Sequence, residues 1–217
     1  MQQNPLIPEE HREHTRAEFN EKLENPVRLI VFTQQIECKF CLETRQLAQD
    51  LALLNNKITA EVYDFVSNAD KVVEFGIERI PALVIVGLKD YGIRFYGFPY
   101  GFEFQTLIES IVNVSRGRTD LSDQIKQRLT EVKAPAHIKI FVTLTCPHCS
   151  AAAIPAEKFA IENSMIKVDI IDAGEFPDLA LKYMIVGVPK TVINEKVDFV
   201  GALPEDLFIE HILLATV

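Results

Sequence analysis

Four cysteines occur in the chain, and two short motifs use all of them: Cys38-Lys39-Phe40-Cys41 and Cys146-Pro147-His148-Cys149. Cysteines two residues apart can close into a disulfide or hold a metal. Disulfide exchange needs such a pair, because one thiolate attacks a sulfur and a second thiol releases the mixed disulfide. Each motif follows an apolar, β-branched run, Leu29–Thr33 and Ile138–Thr143, and precedes apolar residues at helical spacing. A strand that ends in this motif and feeds a helix sets the first cysteine at the helix N-terminus. There, unpaired backbone N–H groups and the helix dipole favour a thiolate. Lys39 and a protonated His148 add positive charge. The chemistry to expect is dithiol/disulfide exchange at two sites, with Cys38, Cys41, Cys146 and Cys149 as the reacting groups.

The elements that position these thiols are duplicated. Cys38 and Cys146 are 108 positions apart, as are Pro81 and Pro189, and so are the run ends Val62-Tyr63-Asp64 and Ile170-Ile171-Asp172. Three registrations at one offset mark an internal repeat. Each copy opens with a polar amphipathic helix, about 8–24 and 121–132, which Asn25-Pro26 and Ala134-Pro135 terminate. Ser122 is a candidate cap for the second. A strand, the cysteine motif and a helix follow; Pro155 inside the second of these helices is expected to kink it. Next come a strand (58–64, 166–172) and a short helix (69–75, 177–183). The repeated proline then leads into a hairpin (83–86 with 93–96, 191–193 with 197–200) and a closing helix (104–114, 204–214). Crossover connections require parallel strands and hairpins antiparallel ones. The expected fold is α/β: two units, 1–117 and 118–217, each a mixed four-stranded sheet flanked by helices.

Composition narrows the function. The 217 residues are 48% apolar, enough for two domains of about 100 residues. A net charge of −9 without a Lys/Arg block speaks against nucleic-acid or anionic-membrane binding. The stretch Met1–Glu10 does not read as a signal peptide, and no run approaches the roughly 20 apolar residues of a membrane span. The expectation is a soluble cytoplasmic protein, where Cys-x-x-Cys pairs are more often catalytic or metal-binding than structural. The two pairs leave 104 residues between them, against about 15–20 in four-cysteine zinc sites, so no metal is expected. No Gly-rich phosphate loop is present, and no bound cofactor is expected.

In this order of elements the chain resembles the thioredoxin/glutaredoxin fold. Two such units, each with its own cysteine pair, resemble the glutaredoxin-like protein disulfide oxidoreductases of thermophilic archaea and bacteria. Asp90-Tyr-Gly-Ile-Arg-Phe-Tyr-Gly-Phe-Pro99 and Val186-Gly-Val-Pro-Lys190 look especially close to that group. The resemblance implies that Cys38 and Cys146 attack and that Cys41 and Cys149 resolve. It also implies that Pro81 and Pro189 are cis and face the disulfides. Ile80 and Val188 would then offer backbone groups to an extended substrate, and their β-branched residues before proline favour that geometry on their own account. The Pro147-His148 spacer resembles that of strongly oxidising thiol oxidases, so the second site is expected to have the lower thiol pKa; Lys39-Phe40 resembles nothing diagnostic. Neither first strand carries the buried acid that assists proton transfer in thioredoxin. Implied partners are client proteins with disulfides or dithiols, and a thioredoxin reductase-type flavoprotein as electron donor.

Two other functions fit these residues. One is an electron relay to a peroxidase, like the tandem N-terminal part of the alkyl hydroperoxide reductase flavoprotein. The other is a redox-gated binding or chaperone module without catalysis. Among the remaining polar residues, His11, His14, His137 and His211 read as surface or cap residues without an acidic companion. Asp64 and Asp172 read as turn residues. The aromatic set from Tyr91 to Phe104 reads as core and inter-unit packing.

Overall fold

In the computed structural model, which describes residues 5–217, the repeat is visible as two sets of four strands joined edge to edge. The first unit contains α1 (Glu9–Lys22), β1 (Val27–Thr33), α2 (Cys41–Ala52), β2 (Ile58–Asp64), α3 (Ala69–Phe75), β3 (Ala82–Val86), β4 (Asp90–Tyr96) and α4 (Glu103–Arg116). The second contains α5 (Asp123–Leu129), β5 (Ala136–Val142), α6 (Ser150–Glu162), β6 (Ile166–Asp172), α7 (Pro177–Lys182), β7 (Lys190–Ile193), β8 (Val197–Val200) and α8 (Glu205–Ala215). Ser122 caps α5, its side chain accepting from the Ile125 N–H at 3.2 Å. Helix α6 runs unbroken through Pro155.

One mixed eight-stranded sheet results, in the order β2-β1-β3-β4-β6-β5-β7-β8. Strands β1 and β2, β5 and β6, and β4 and β6 pair in parallel. The other pairs are antiparallel. Six strands therefore run one way, with β3 and β7 opposed. Both cysteine motifs, at the C-terminal ends of β1 and β5, consequently open on the same edge of the sheet. Four inter-strand steps separate β1 from β5, about 19 Å at the usual 4.8 Å spacing.

The joint between units is the one feature of the sheet that the repeat pattern did not indicate. Ile93 to Tyr96 of β4 lie beside Val168 to Ile171 of β6. Alternation sends Ile93, Phe95, Val168 and Ile170 into the core under α2, α4, α6 and α8, and Tyr96 and Ile171 toward α3 and α7. Strand β4 begins three residues before its expected start, and the turn shrinks to residues 87–89. A bulge between Val84 and Val86 and a left-handed Gly92 (φ +79°) allow the extension. β1 and β5 are buried over nearly their whole length, as strands covered on both faces must be.

The repeat offset also changes inside the first strand. Val27 pairs with Ile58 and Ala136 with Ile166, so β1 and β5 are related by 109 positions while the cysteines keep 108. The loop before Cys38 is one residue longer than the loop before Cys146. Glu37 takes a left-handed backbone (φ 58°) within it.

Candidate active site

In each unit the two cysteines are joined as a disulfide, with Cα–Cα separations of 5.5 Å for Cys38–Cys41 and 5.6 Å for Cys146–Cys149. The regular helix starts later than the motif pattern placed it: α2 opens at Cys41, and Cys149 is the N-cap of α6. The first cysteine of each pair thus lies one turn ahead of the helix, facing its unpaired N–H groups. The second is sealed, with Cys41 3% and Cys149 0% exposed. Cys38 is half-buried and Cys146 buried.

The peptide bonds Ile80–Pro81 and Val188–Pro189 are both cis, as the resemblance implied. Pro81 and Pro189 are buried, while Ile80 and Val188 remain partly accessible. Cys146 Sγ lies 3.8 Å from the Val188 carbonyl oxygen. No contact of hydrogen-bond range joins Cys38 to Ile80 among the described residues. Instead the Gln34 N–H donates to Cys41 Sγ at 3.3 Å. Pro147 and His148 are exposed, and Lys39 sets its ammonium 4.7 Å above the Phe40 ring.

Aromatic residues tie the first site to the unit joint. Phe40 stacks on Phe98 (centroids 6.0 Å) and Phe98 on Tyr100 (5.0 Å), with Phe104 edge-on at 6.4 Å. The packing role expected for this aromatic set holds for these, whereas Phe102 is 53% exposed. The Phe98 N–H donates to Glu175 at 2.7 Å, and the Phe102 N–H donates to the Leu144 carbonyl at 3.1 Å, two residues before Cys146. The segment 97–104 therefore touches both cysteine loops. Gly101 (φ +62°) is required here, because a Cβ would overlap the Leu144 carbonyl oxygen.

Buried carboxyl groups collect at this joint, and they are what the motif reading missed. Glu103 is 2% exposed and borders a small void with Leu144 and Asp172. Burial, reinforced by the charge of Asp172, pushes its carboxyl up to about 7. Burial also raises Glu175 to about 7, against the opposing hydrogen bond from Phe98, and raises Asp172. Glu157 of α6 is fully buried and held well above the carboxylate range, with the Ser110 hydroxyl of α4 donating to it at 2.5 Å. Asp64 and Asp172 both accept from backbone N–H groups in turns, as expected. Two signals were available for the buried acids. Glu157 interrupts an apolar stretch, and Gly97–Glu103 is two residues longer than its counterpart Gly201–Glu205.

One expectation is corrected. His137 does have an acidic companion: its Nε2 lies 2.6 Å from Asp169 Oδ2. The two residues are far apart in sequence and meet only because β5 and β6 pair in register.

Comparison with known proteins agrees with this geometry. A sequence model described as a thioredoxin domain matches residues 136–214. The thioredoxin of Methanocaldococcus jannaschii is 38% identical over 76 residues, 35% of this chain and 89% of that protein. The chain belongs to the thioredoxin family. Two solved structures place it among tandem thioredoxin-family chains. A protein disulfide oxidoreductase from Aeropyrum pernix is 31% identical, with 96% of this chain and 93% of that one covered, TM-score 0.88. The NTD_N/C domain of the alkylhydroperoxide reductase of Enterococcus faecalis is 26% identical, with 95% and 99% covered, TM-score 0.88. The chain spans about a quarter of the length of the NADH dehydrogenases and alkyl hydroperoxide reductase subunits F that it matches. No helix among the described residues is long and apolar enough to cross a membrane.

Proposed function

We propose that this chain is a protein-disulfide oxidoreductase, built of units 1–117 and 118–217, with one dithiol/disulfide site in each. The observation that carries this reading is the duplicated site. Two cysteine pairs sit at disulfide spacing at the same sheet edge, each ahead of a helix and each in a unit with its own cis-proline before β3 or β7. Cys146 and Cys38 are the attacking residues. A thiolate sulfur of one of them forms a bond to one sulfur of a client disulfide and expels the other as a thiolate. Cys149 or Cys41 then attacks the mixed disulfide, which frees the client dithiol and leaves the enzyme disulfide; oxidation runs the same steps backward. Ile80 and Val188 align the client backbone, and Lys39, Pro147 and His148 tune the thiols. Glu103 serves as the proton acceptor at the second site, an acid that the first strand does not provide.

Four inter-strand steps, about 19 Å, separate the strands that carry the two pairs, so each site works on its own client. Each is recharged by a partner. Similarity to parts of longer NADH-linked proteins supports a flavoprotein reductase as donor, and the reactions belong in the reducing cytoplasm. Reduction of insulin by dithiothreitol tests the catalytic claim. The protein is expected to accelerate it, and an unchanged rate rejects catalysis in favour of a binding module.

The match to nearly all of the alkylhydroperoxide reductase NTD_N/C domain favours one second reading, a relay that feeds a single peroxidase. Trapping with Cys149→Ser separates the two. Many protein adducts are expected for a general catalyst, and one dominant peroxidase adduct overturns it.

A further inference from the structure

Where each strand that leads into a cysteine motif meets its parallel neighbour, the repeat builds the same concavity. In the second unit its walls are Val142, Leu144, Ile170 and Asp172, and it is filled. Gly97 to Pro99 and Glu103 of the first unit lie across it, leaving about 10 Å³. In the first unit the matching walls are Thr33, Gln35, Val62 and Asp64, and it is open. A cavity of about 460 Å³ there reaches both Cys38 and Cys41. The difference comes from the sheet. The filling segment arrives because β4 adds in parallel to β6, whereas β2, the repeat of β6, has no strand on its outer side. Around the open cavity Leu42 is 48% and Val62 38% exposed, and the flanking loops present Ile36 and Val66.

We infer that the outer edge of β2, with the cavity beside Cys38–Cys41, is a docking surface for an extended segment of a partner polypeptide. The segment adds to β2 as β4 adds to β6 and sets an apolar or aromatic side chain in the cavity. This inference rests on the thiol chemistry proposed above and names how its first site takes a partner. Arg94 stands beside Asp169 across the β4–β6 joint but pairs with Asp90, and the repeat of Asp169 is Glu61 on β2, whose carboxylate the Arg28 guanidinium engages at 2.6 and 3.0 Å. An acidic partner residue there would crowd Glu61, so the position takes a basic or neutral one. The counterpart of β4 in a second copy, β8, does not qualify, because Asp198 takes the place of Arg94 and would meet Glu61 with like charge.

The test uses the full chain with Cys41, Cys146 and Cys149 changed to Ser. Its Cys38 thiolate attacks a synthetic peptide disulfide carrying Ile-Arg-Phe-Tyr-Gly before the cysteine. A Cys38–peptide disulfide forms and the other half leaves as a thiolate. Hydrogen exchange of the adduct is expected to slow about tenfold at the outward amides of β2. A peptide with Glu in place of Arg is expected to react about threefold more slowly. Val62→Glu is expected to slow the Arg peptide about fivefold while leaving reaction with hydroxyethyl disulfide unchanged. An adduct with β2 exchanging as in the free protein, or equal rates for the two peptides, overturns the docking surface and leaves the thiol chemistry standing. Failure of both the peptide and hydroxyethyl disulfide to react overturns both.

Discussion

The first cysteine pair lies near one end of the sheet with open space beside it, and the second lies where the other unit packs against its strands. Their immediate parts are the same: a buried central strand, a Cys-x-x-Cys turn, a helix and a buried proline. What differs is the neighbour. Strand β6 receives β4, and with it Phe98, Glu103 and the tether on Leu144; β2 receives nothing. Cys146 is accordingly buried where Cys38 is half-exposed, and only the second site has the protonatable Glu103 at its loop. Lys39 of the first site has its field shared with Asp172 and Glu175 of the second unit. His148 has no carboxylate within ion-pair distance among the described residues. Duplicated sequence therefore yields two chemically unequal sites, because a sheet that grows by edge pairing gives its members different surroundings.

The largest effect that would break this comparison is loss of chemistry itself. Cys146→Ser is expected to lower turnover at the second site by about a thousandfold or more while the first continues, and Cys38→Ser the converse. Insulin reduction with each remaining pair measures this, and loss of both sites in either variant would show that they act as one. Next comes the joint. Phe98 is 8% exposed between Phe40 and Tyr100, so Phe98→Ala is expected to cost about 3 kcal/mol in urea unfolding. It should raise the exposure of Cys38 more than that of Cys146.

Glu103 sharpens the contrast through pH. Its carboxyl is raised from 4.5 to about 7, so the folded state holds a proton that the unfolded chain has released. The contribution of Glu103 to stability is therefore full below about pH 4.5 and is lost as pH rises to about 7, a difference of about 3 kcal/mol from this one group. Glu103→Gln should flatten that part of the curve and slow the second site without slowing the first. A wild-type pH dependence in the variant would remove Glu103 from the account.

A smaller effect separates the thiols. The alkylation midpoint against pH is expected to be lower for Cys146 than for Cys38 by about one unit, because the Lys39 charge at the first site is shared with Asp172 and Glu175 while His148 faces no carboxylate. A lower midpoint at Cys38 reverses the assignment of the more oxidising site. The smallest concerns the opening helices: α5 is capped by Ser122, whereas α1 has no side-chain cap. Ser122→Ala should lower stability by about 1 kcal/mol.

Much of this protein was legible before any coordinates. The cysteine spacing, the 108-residue repeat and the Pro81/Pro189 pair pointed to both candidate sites, since each depends on residues close in the chain or repeated at a fixed offset. Element types followed from local patterns of apolar residues and turn-formers, and most boundaries fell within one or two positions. Where local pattern misled, pairing between strands was the cause. Strand β4 extends to Asp90 because a bulge in the hairpin lets Asp90 pair with Val86, and His137 gains Asp169 from across the sheet.

What the linear order by itself determined is the chemistry and its duplication. What only the tertiary structure decided is that the two units share one sheet, and therefore that Glu103, Glu157, Asp172 and Glu175 gather at the joint between them. A carboxyl group's proton affinity depends on the water and charge around it, and those are set by which edge of one unit finds which edge of the other.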